Sequence, residues 1–251
     1  MLTLYTALTN RAESWLERLL DKRLAKGKEH PERLSERKGF TNTPRPEGAL
    51  IWLHAASVGE AQSALILINR LIETHSKLNI LITTGTLTSS QYLETRLPER
   101  TLHQFIPLDH PVWVERFLHH WRPDTALWME SELWPNMLTA IKSANIPAAL
   151  INARLSKKSY KGWRLFKPSA RKILGTFSLI LAQNKGAYER LQKLGATHSI
   201  QSDNIKYSAR ALPHNSDDLK HLVAYINNRP LWLFASTHKG CLLYTSPSPR
   251  D

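Results

Sequence analysis

Between residues 50 and 201, short runs of consecutive apolar residues alternate with longer segments in which apolar residues recur every three or four positions. The short runs are typical of strands buried on both faces of a parallel sheet, and the longer segments are typical of the amphipathic helices that cover one. This alternation predicts a doubly wound α/β sheet. The predicted strands are 50–54, 79–84, 102–107, 125–129, 148–151, 179–182 and 199–201, and the predicted helices include 60–74, 89–96, 111–121 and 133–143.

Within the first 27 residues, apolar residues fall on one face of a predicted helix and basic residues lie elsewhere around it. Such an amphipathic helix can lie on an anionic membrane surface or pack on the domain. The leucines at positions 2, 4 and 8 favour the membrane. No stretch reaches the roughly 18 to 20 apolar residues that a membrane span requires, and the start lacks the features of a secretory signal. We predict a membrane-associating segment at residues 1–27 of a protein that is neither secreted nor membrane-spanning. Its apolar face consists of Trp15, Leu16, Leu19, Leu20 and Leu24.

The chain changes character after residue 211. A helix is predicted at 217–227 and a buried strand at 231–235, followed by a polar turn at Ser236, Thr237 and His238. Residues 241–251 contain two prolines and no periodicity, so we interpret them as a non-native tail. The prediction is a complete first domain at 28–211 and only the start of a second domain at 212–240.

The charge balance points to an anionic partner. The chain has 34 Lys and Arg against 21 Asp and Glu, a formal net charge of +13. Nucleic acid, a phosphorylated ligand and an acidic membrane all fit this charge. Most aromatic residues lie in the apolar runs and are not interleaved with basic residues, which argues against nucleic acid.

Cysteine and histidine usage argues against disulfide and metal chemistry. The single cysteine, Cys241, excludes an internal disulfide and fits a reducing compartment. His119 and His120 are adjacent in a predicted helix and therefore point in different directions, and no other histidines have metal-ligand spacing. The sequence also lacks GxGxxG, GxxxxGK[ST] and HExxH motifs. We predict no metal and no cofactor.

Glu60 is the first candidate for catalysis. It follows an apolar strand and a run of small residues, among them Ser57 and Gly59, that leave room for a substrate near a helix N-terminus. A carboxylate in that position can act as a general base. The alternative is a capping box, in which Ser57 caps the helix and Glu60 only completes the cap.

Two further strand ends carry chemistry-bearing residues. Glu130 follows the strand 125–129 and suits a second acid or base, whereas Glu132 suits the first turn of a helix. Arg154 begins a basic segment that contains no acidic residue. This segment can either bind phosphate groups or form a solvated basic face. Its other basic residues are Lys157, Lys158, Lys161, Arg164, Lys167, Arg171 and Lys172.

Five ordered segments resemble the bacterial 3-deoxy-D-manno-octulosonate (Kdo) transferases of lipopolysaccharide synthesis. The resemblance runs from about residue 28 to residue 240, and five motifs in order are far more specific than any one of them. The segments are HAASVGE at 54–60, MESELWPN at 129–136, NARLS at 152–156, AQN at 182–184 and ASTH at 235–238.

The resemblance implies a GT-B fold of two Rossmann-like domains and a glycosyltransferase that works without a metal. The family transfers Kdo from CMP-Kdo to a phosphorylated lipid A precursor with inversion, so we expect a peripheral protein at the cytoplasmic face of the bacterial inner membrane. Glu60 matches the family's general base, and Glu130 and Lys206 match positions assigned to transition-state support. Substrate contacts are assigned to Ser57, Gly59, Arg154, Ser236, Thr237 and His238.

The chain departs from the family pattern in two places. Its N-terminal segment is less apolar than usual, and Asp203 stands where the family has a glycine before the Lys206 loop. Most of the CMP-holding domain is absent from the sequence, so we expect an inactive fragment. Two alternatives stay open: a basic α/β module that binds RNA or phosphorylated ligands without catalysis, and another GT-B glycosyltransferase with a nucleotide-sugar donor.

Overall fold

Seven parallel strands form one sheet in the order β3-β2-β1-β4-β5-β6-β7. The structure is a computed structural model and describes residues 1–209, 214–235 and 237. The predicted doubly wound α/β sheet is confirmed, and each predicted strand of the first domain forms within two residues of its expected ends. The strands are β1 Leu50–His54, β2 Asn79–Thr84, β3 Thr101–Phe105, β4 Thr125–Met129, β5 Ala148–Ala153, β6 Leu179–Ala182 and β7 Ser199–Gln201.

Helices connect the strands and cover both faces of the sheet. Two short 3₁₀ helices, Pro31–Lys38 and Ile205–Ser208, lie before β1 and after β7. The α-helices are α1 Leu2–Arg11, α2 Glu13–Ala25, α3 Val58–Thr74, α4 Leu87–Glu94, α5 Pro111–Trp121, α6 Pro135–Ser143, α7 Lys157–Leu165, α8 Lys167–Leu174, α9 Lys185–Leu194 and α10 Ser216–Ile226.

The core has two layers because neighbouring strand residues point to opposite faces of the sheet. Trp52 of β1 lies in the layer that also holds buried residues of α5, α6, α8 and α9, with its ring centroid 4.9 Å from Phe117 and 5.3 Å from Trp128. The next residue, Leu53, packs against α3 and α4 on the other side. Burial on both faces explains why the strands read as uninterrupted apolar runs.

The strand order reverses between β1 and β4. These two central strands pair in parallel, with His54 opposite Trp128, while their following helices α3 and α6 lie on opposite faces. The helices therefore diverge, and a crevice opens beyond the carboxyl ends of β1 and β4. Ligands of doubly wound sheets bind at such a switch point. Glu60 and Glu130 are the acidic residues that follow these two strands.

Helix α1 docks on the domain through polar groups. Tyr5 donates to Asp109 at 3.0 Å, Thr6 donates to Asn136 at 2.7 Å, and the Asn136 amide donates to Thr9 at 2.9 Å. Leu2 also packs against the core, whereas Leu4 and Leu8 are exposed.

Most of the apolar face predicted at residues 12–26 packs on the domain. Leu20 of α2 is fully buried, and Leu16, Leu19 and Leu24 are half-buried, which is the packing alternative of the two interpretations. Trp15 is the exception, with 62% of its surface exposed. No helix in the described part of the chain is long and apolar enough to cross a membrane.

The chain divides into two compact units, Met1–Ala209 and Arg210–Asp251. In the second unit, the predicted helix at 217–227 forms as α10, one residue earlier. The predicted strand at 231–235 is wrong: these residues are irregular and exposed. A strand needs a neighbour for its N–H and C=O groups, and residues 214–235 hold no other strand. The assignment of 212–240 to a second domain stays a prediction, and the suspected tail lies outside the described residues.

Candidate active site

Glu60 lies in the first turn of α3 at the crevice between β1 and β4. Ser57 is the N-cap residue, and its hydroxyl accepts the Glu60 N–H at 3.4 Å. The Glu60 carboxylate in turn accepts the Ala56 N–H at 2.8 Å and the Ser57 hydroxyl at 3.1 Å. The capping interpretation is therefore correct as a description of the contacts. It does not exclude chemistry, since a base also needs a fixed carboxylate.

The environment of Glu60 suits a proton acceptor at neutral pH. The residue is only 8% exposed, and burial, the largest cause, raises the pKa of its carboxyl from 4.5 to about 7. The negative charges of Glu130 and Glu132 raise this pKa further, while the hydrogen bonds from Ala56 and Ser57 lower it. A carboxyl with this pKa is partly ionised at pH 7, and its ionised form has a high enough proton affinity to accept a proton from a substrate.

Glu130 ends β4 in a strained backbone conformation. Its φ is +55°, in the left-handed region that non-glycine residues rarely adopt. The peptide is held there because its N–H donates to Ile151 at 3.0 Å and its carbonyl accepts the Arg154 N–H at 3.2 Å. Backbone strain of this kind clusters at functional sites. The position supports the functional interpretation of Glu130.

Glu132 has a structural partner. Its carboxylate accepts the indole N–H of Trp134 at 2.6 Å, and its carbonyl accepts the indole N–H of Trp128. The prediction that Glu132 sits in the first turn of a helix is wrong, because α6 begins only at Pro135. The open N–H groups of α6 are instead satisfied by another acid.

That acid is Asp109, in the loop between β3 and α5. Its carboxylate accepts the Asn136 N–H at 3.1 Å and the Met137 N–H at 2.8 Å, besides the hydroxyl of Tyr5. Burial raises the pKa of Asp109, and these hydrogen bonds oppose the rise. Asp109 thus fixes α6 and α1 beside the crevice. A cap supplied from a distant loop leaves no local sequence signal.

Lys206 reaches Gly59, the residue before Glu60, from the 3₁₀ helix that follows β7. Its Nζ lies 3.6 Å from the position that a Cβ would take on Gly59, the residue before Glu60. Asn204 and Asn152 hold the loop: the Lys206 N–H donates to the Asn204 side chain at 3.1 Å, and the Ile205 N–H donates to the Asn152 side chain at 3.3 Å. The structure therefore brings Glu60, Gly59 and Lys206 together even though the neighbouring Asp203 is not a glycine.

The remaining predicted contacts divide into two groups. Arg154 is exposed at the end of β5, and Lys157, Lys158 and Lys161 are exposed on α7 just after it. Thr237 is exposed in the second unit, whereas Ser236 and His238 lie outside the described residues. The substrate roles of all these residues stay predictions.

His54 ends β1 beneath the crevice and is fully buried. Burial lowers the pKa of its imidazole to about 3, so the ring is neutral at physiological pH. It stacks against Trp128 with ring centroids 4.4 Å apart, and its Nδ1 lies 3.0 Å from the Thr83 hydroxyl. His54 is a packing residue and not a titrating acid.

Other features lie away from this site. A groove of about 660 Å³ runs between α5 and α6, and none of the predicted site residues lines it. The described residues contain no group of three or more His, Cys, Asp or Glu side chains placed to hold a metal ion.

Comparisons with known proteins were made against families, curated proteins and solved structures. A family described as 3-deoxy-D-manno-octulosonic-acid transferase (kdotransferase) matches residues 32–209. The probable mitochondrial 3-deoxy-D-manno-octulosonic acid transferase of Arabidopsis thaliana is 36% identical, over 94% of this chain and 55% of its own length. The 3-deoxy-D-manno-octulosonic acid transferase of Rickettsia bellii is 36% identical over 86% of this chain and 51% of its own.

A similar protein from Haemophilus influenzae, also named 3-deoxy-D-manno-octulosonic acid transferase, is 34% identical over 86% of this chain. Among solved structures, a UDP-N-acetylglucosamine 2-epimerase aligns with a TM-score of 0.48 and 12% identity, over 72% of this chain and 53% of its own. The chain spans about half the length of the curated relatives it matches. With a family match that covers most of the first unit and these identities, the chain belongs to the 3-deoxy-D-manno-octulosonic-acid (Kdo) transferase family.

Proposed function

We propose that this chain supplies the acceptor half of a Kdo transferase in lipopolysaccharide synthesis, with Glu60 as the general base. The observation that carries the proposal is a nearly buried carboxyl with a pKa of about 7, fixed at the switch-point crevice. Family membership favours this function over a basic module that binds RNA without catalysis.

The proposed reaction transfers Kdo from CMP-Kdo to a hydroxyl of a phosphorylated lipid A precursor. Glu60 takes the proton of that hydroxyl as its oxygen forms a bond to the anomeric carbon. The bond from that carbon to the phosphate oxygen breaks on the opposite face, so CMP leaves as an anion and the configuration inverts. No metal takes part in this scheme.

Positive charge near Glu60 supports a role in binding the developing negative charge. Lys206 projects its ammonium group beside Gly59, and the N-terminus of α3 adds the partial positive charge of its open N–H groups. Glu130 faces the same space from β4 and, by its charge, keeps the proton affinity of Glu60 high. We assign transition-state support to Lys206 and Glu130.

The Glu60→Gln variant of the whole enzyme tests the base. Gln keeps one oxygen for the Ala56 N–H and offers its amide to Ser57, so the cap survives while proton acceptance is lost. Loss of a general base should lower kcat by about 10²- to 10⁴-fold and leave acceptor affinity near wild type. Glu94→Gln, at an exposed position of α4, is the control. A Glu60→Gln enzyme that keeps most of its turnover would remove Glu60 as the base.

We also propose a peripheral location on the cytoplasmic face of the inner membrane. Leu4 and Leu8 of α1 are 61% and 59% exposed, and Trp15 projects nearby from the start of α2. Together with the basic residues of α7, these side chains suit an anionic lipid surface.

Vesicle binding tests the location. Replacing Leu4, Leu8 and Trp15 with Ser should weaken sedimentation with phosphatidylglycerol vesicles by at least several-fold, because each exposed apolar side chain contributes to insertion. Replacing Leu222 and Val223, which are 54% and 60% exposed on α10, is the matched control. Equal losses in the two variants would contradict a specific docking face.

A further inference from the structure

Arg37 is almost completely buried beside the crevice, with 2% of its surface exposed. Its Nε donates to the Glu29 carboxylate at 2.9 Å, and Glu29 is itself 3% exposed. The rest of the guanidinium donates to two backbone carbonyls, Ile106 at 3.1 Å and Gly85 at 2.6 Å. A charged group buried this deeply is costly unless every donor finds a partner, so its position is tightly determined.

The Gly85 contact continues as a chain of hydrogen bonds to Glu60. The Gly85 N–H donates to the Ala56 carbonyl at 3.2 Å, and the Ala56 N–H donates to the Glu60 carboxylate at 2.8 Å. Gly85 and Ala56 also touch closely, because a Cβ on Gly85 would lie 3.0 Å from the Ala56 oxygen. The segments that follow β2 and β1 therefore move together.

We propose that Arg37 is a positioning residue, which holds the Glu60 carboxylate in place through Gly85 and Ala56. The proposal rests on the proposed function in that it gives the positioned group the role of base. Arginine suits this task because its planar fork reaches Glu29 and both carbonyls at once. Lysine has the charge but not the fork.

The link acts through geometry and not through the charge of Arg37. The charged groups that raise the pKa of Glu60 are Glu130 and Glu132 from the segment after β4. Lys206 lies beside Gly59, and neither Lys206 nor Arg37 is among the causes of the Glu60 pKa shift. What Arg37 controls is the position of the Ala56 N–H, whose hydrogen bond favours the ionised carboxylate. Loosening that bond raises the pKa of Glu60.

Carbon-13 NMR titration of Glu60 in the 251-residue chain tests the proposal. The protein is labelled with [¹³C]glutamate, and the Glu60 carboxyl signal is assigned by its loss in Glu60→Gln. Two variants disturb different steps: Arg37→Lys removes the fork, and Gly85→Ala pushes on the Ala56 oxygen without touching the buried ion pair. Each should raise the apparent pKa of Glu60 by roughly half a pH unit or more, since hydrogen bonds to charged groups are strong.

Arg33→Lys is the matched control. Arg33 belongs to the same 3₁₀ helix, lies over the same Phe105 ring and donates to the His103 carbonyl at 3.0 Å, but that carbonyl has no link to Ala56. The control should lose less stability, because the Arg33–Glu36 pair is more exposed than the Arg37–Glu29 pair, and it should leave the Glu60 titration unchanged. An equal shift in the control, or no shift in a folded Gly85→Ala protein, would overturn the proposal.

The use of two variants keeps the proposal testable if one of them does not fold. If Arg37→Lys does not fold, Gly85→Ala still tests the step from Gly85 to Glu60, and an unmoved Glu60 pKa in a Gly85→Ala protein that thermal melting shows to be folded overturns the proposal. The titration needs no substrate and no second domain. A failure of the proposed function would appear as retained turnover in Glu60→Gln, whereas a failure of the positioning link would appear as an unmoved Glu60 pKa.

Discussion

Ionisation of Glu60 should lower the free energy of unfolding as pH rises. Its pKa in the folded state is about 7, against 4.5 for the ordinary carboxyl, so the folded protein holds this proton more tightly than the unfolded chain. Stability therefore falls as pH rises through the window from about 4.5 to about 7. Below that window both states are protonated, and Glu60 no longer makes stability depend on pH.

The size of the effect follows from the pKa difference. At about 1.4 kcal/mol for each tenfold change in proton affinity, the ionised carboxylate costs roughly 3 kcal/mol. Water at the crevice mouth screens part of this charge, so we expect about 2 kcal/mol. A loss of that size is a substantial share of the free energy of unfolding of an ordinary domain.

Urea unfolding of the wild type and Glu60→Gln at pH 5 and pH 8 measures this cost. The wild type should lose about 2 kcal/mol more than the variant between the two pH values, because every other titrating group is common to both proteins and cancels. Glu94→Gln should follow the wild type. A Glu60→Gln protein with the same pH dependence as the wild type would show that Glu60 titrates as an ordinary surface acid.

Three further predictions test other parts of the structure. Asp109→Ala should lower the free energy of unfolding by about 2 kcal/mol and make α1 sensitive to limited proteolysis, since two helix N–H groups and the Tyr5 hydroxyl lose their acceptor. Gly39→Ala should destabilise the fold in urea unfolding by more than about 1 kcal/mol, because Gly39 has a φ of +79° and a Cβ there would lie 2.2 Å from the Trp113 carbonyl oxygen. In the whole enzyme, exchanging three α7 lysines for Gln should raise KM for the lipid acceptor by several-fold and leave KM for CMP-Kdo unchanged in steady-state assays. If KM for the lipid acceptor equals that of the wild type, α7 is only a solvated face. The three lysines are Lys157, Lys158 and Lys161.

The sequence predicted the sheet because its strands are buried on both faces. In β1, β2 and β4, three or four consecutive apolar residues form most of each strand, so the strands could be located from the sequence. The strand predicted at 231–235 shows the limit of the same signal: five apolar residues without a neighbouring strand do not form one.

The candidate site was only partly accessible from sequence. Glu60 and Glu130 could be located because both follow predicted strands. The Arg37–Glu29 pair could not, because it joins a residue of a 3₁₀ helix to one in the irregular segment before it, and no period relates the two. The approach of Lys206 to Gly59 could not be derived from the strand pattern either, because β7 is an edge strand separated from β1 by β4, β5 and β6.

At Glu130, the left-handed backbone conformation favours a different residue type for stability than the proposed function does for activity. Asn and Gly adopt a φ of +55° at lower energy than Glu, so Glu130→Asn or Glu130→Gly relieves strain worth about 1 kcal/mol while it removes the carboxylate. Selection of variants for heat resistance alone would therefore favour the loss of Glu130. On the proposed role of Glu130 in transition-state support, selection for turnover would keep it, and the two selections would separate at this one position.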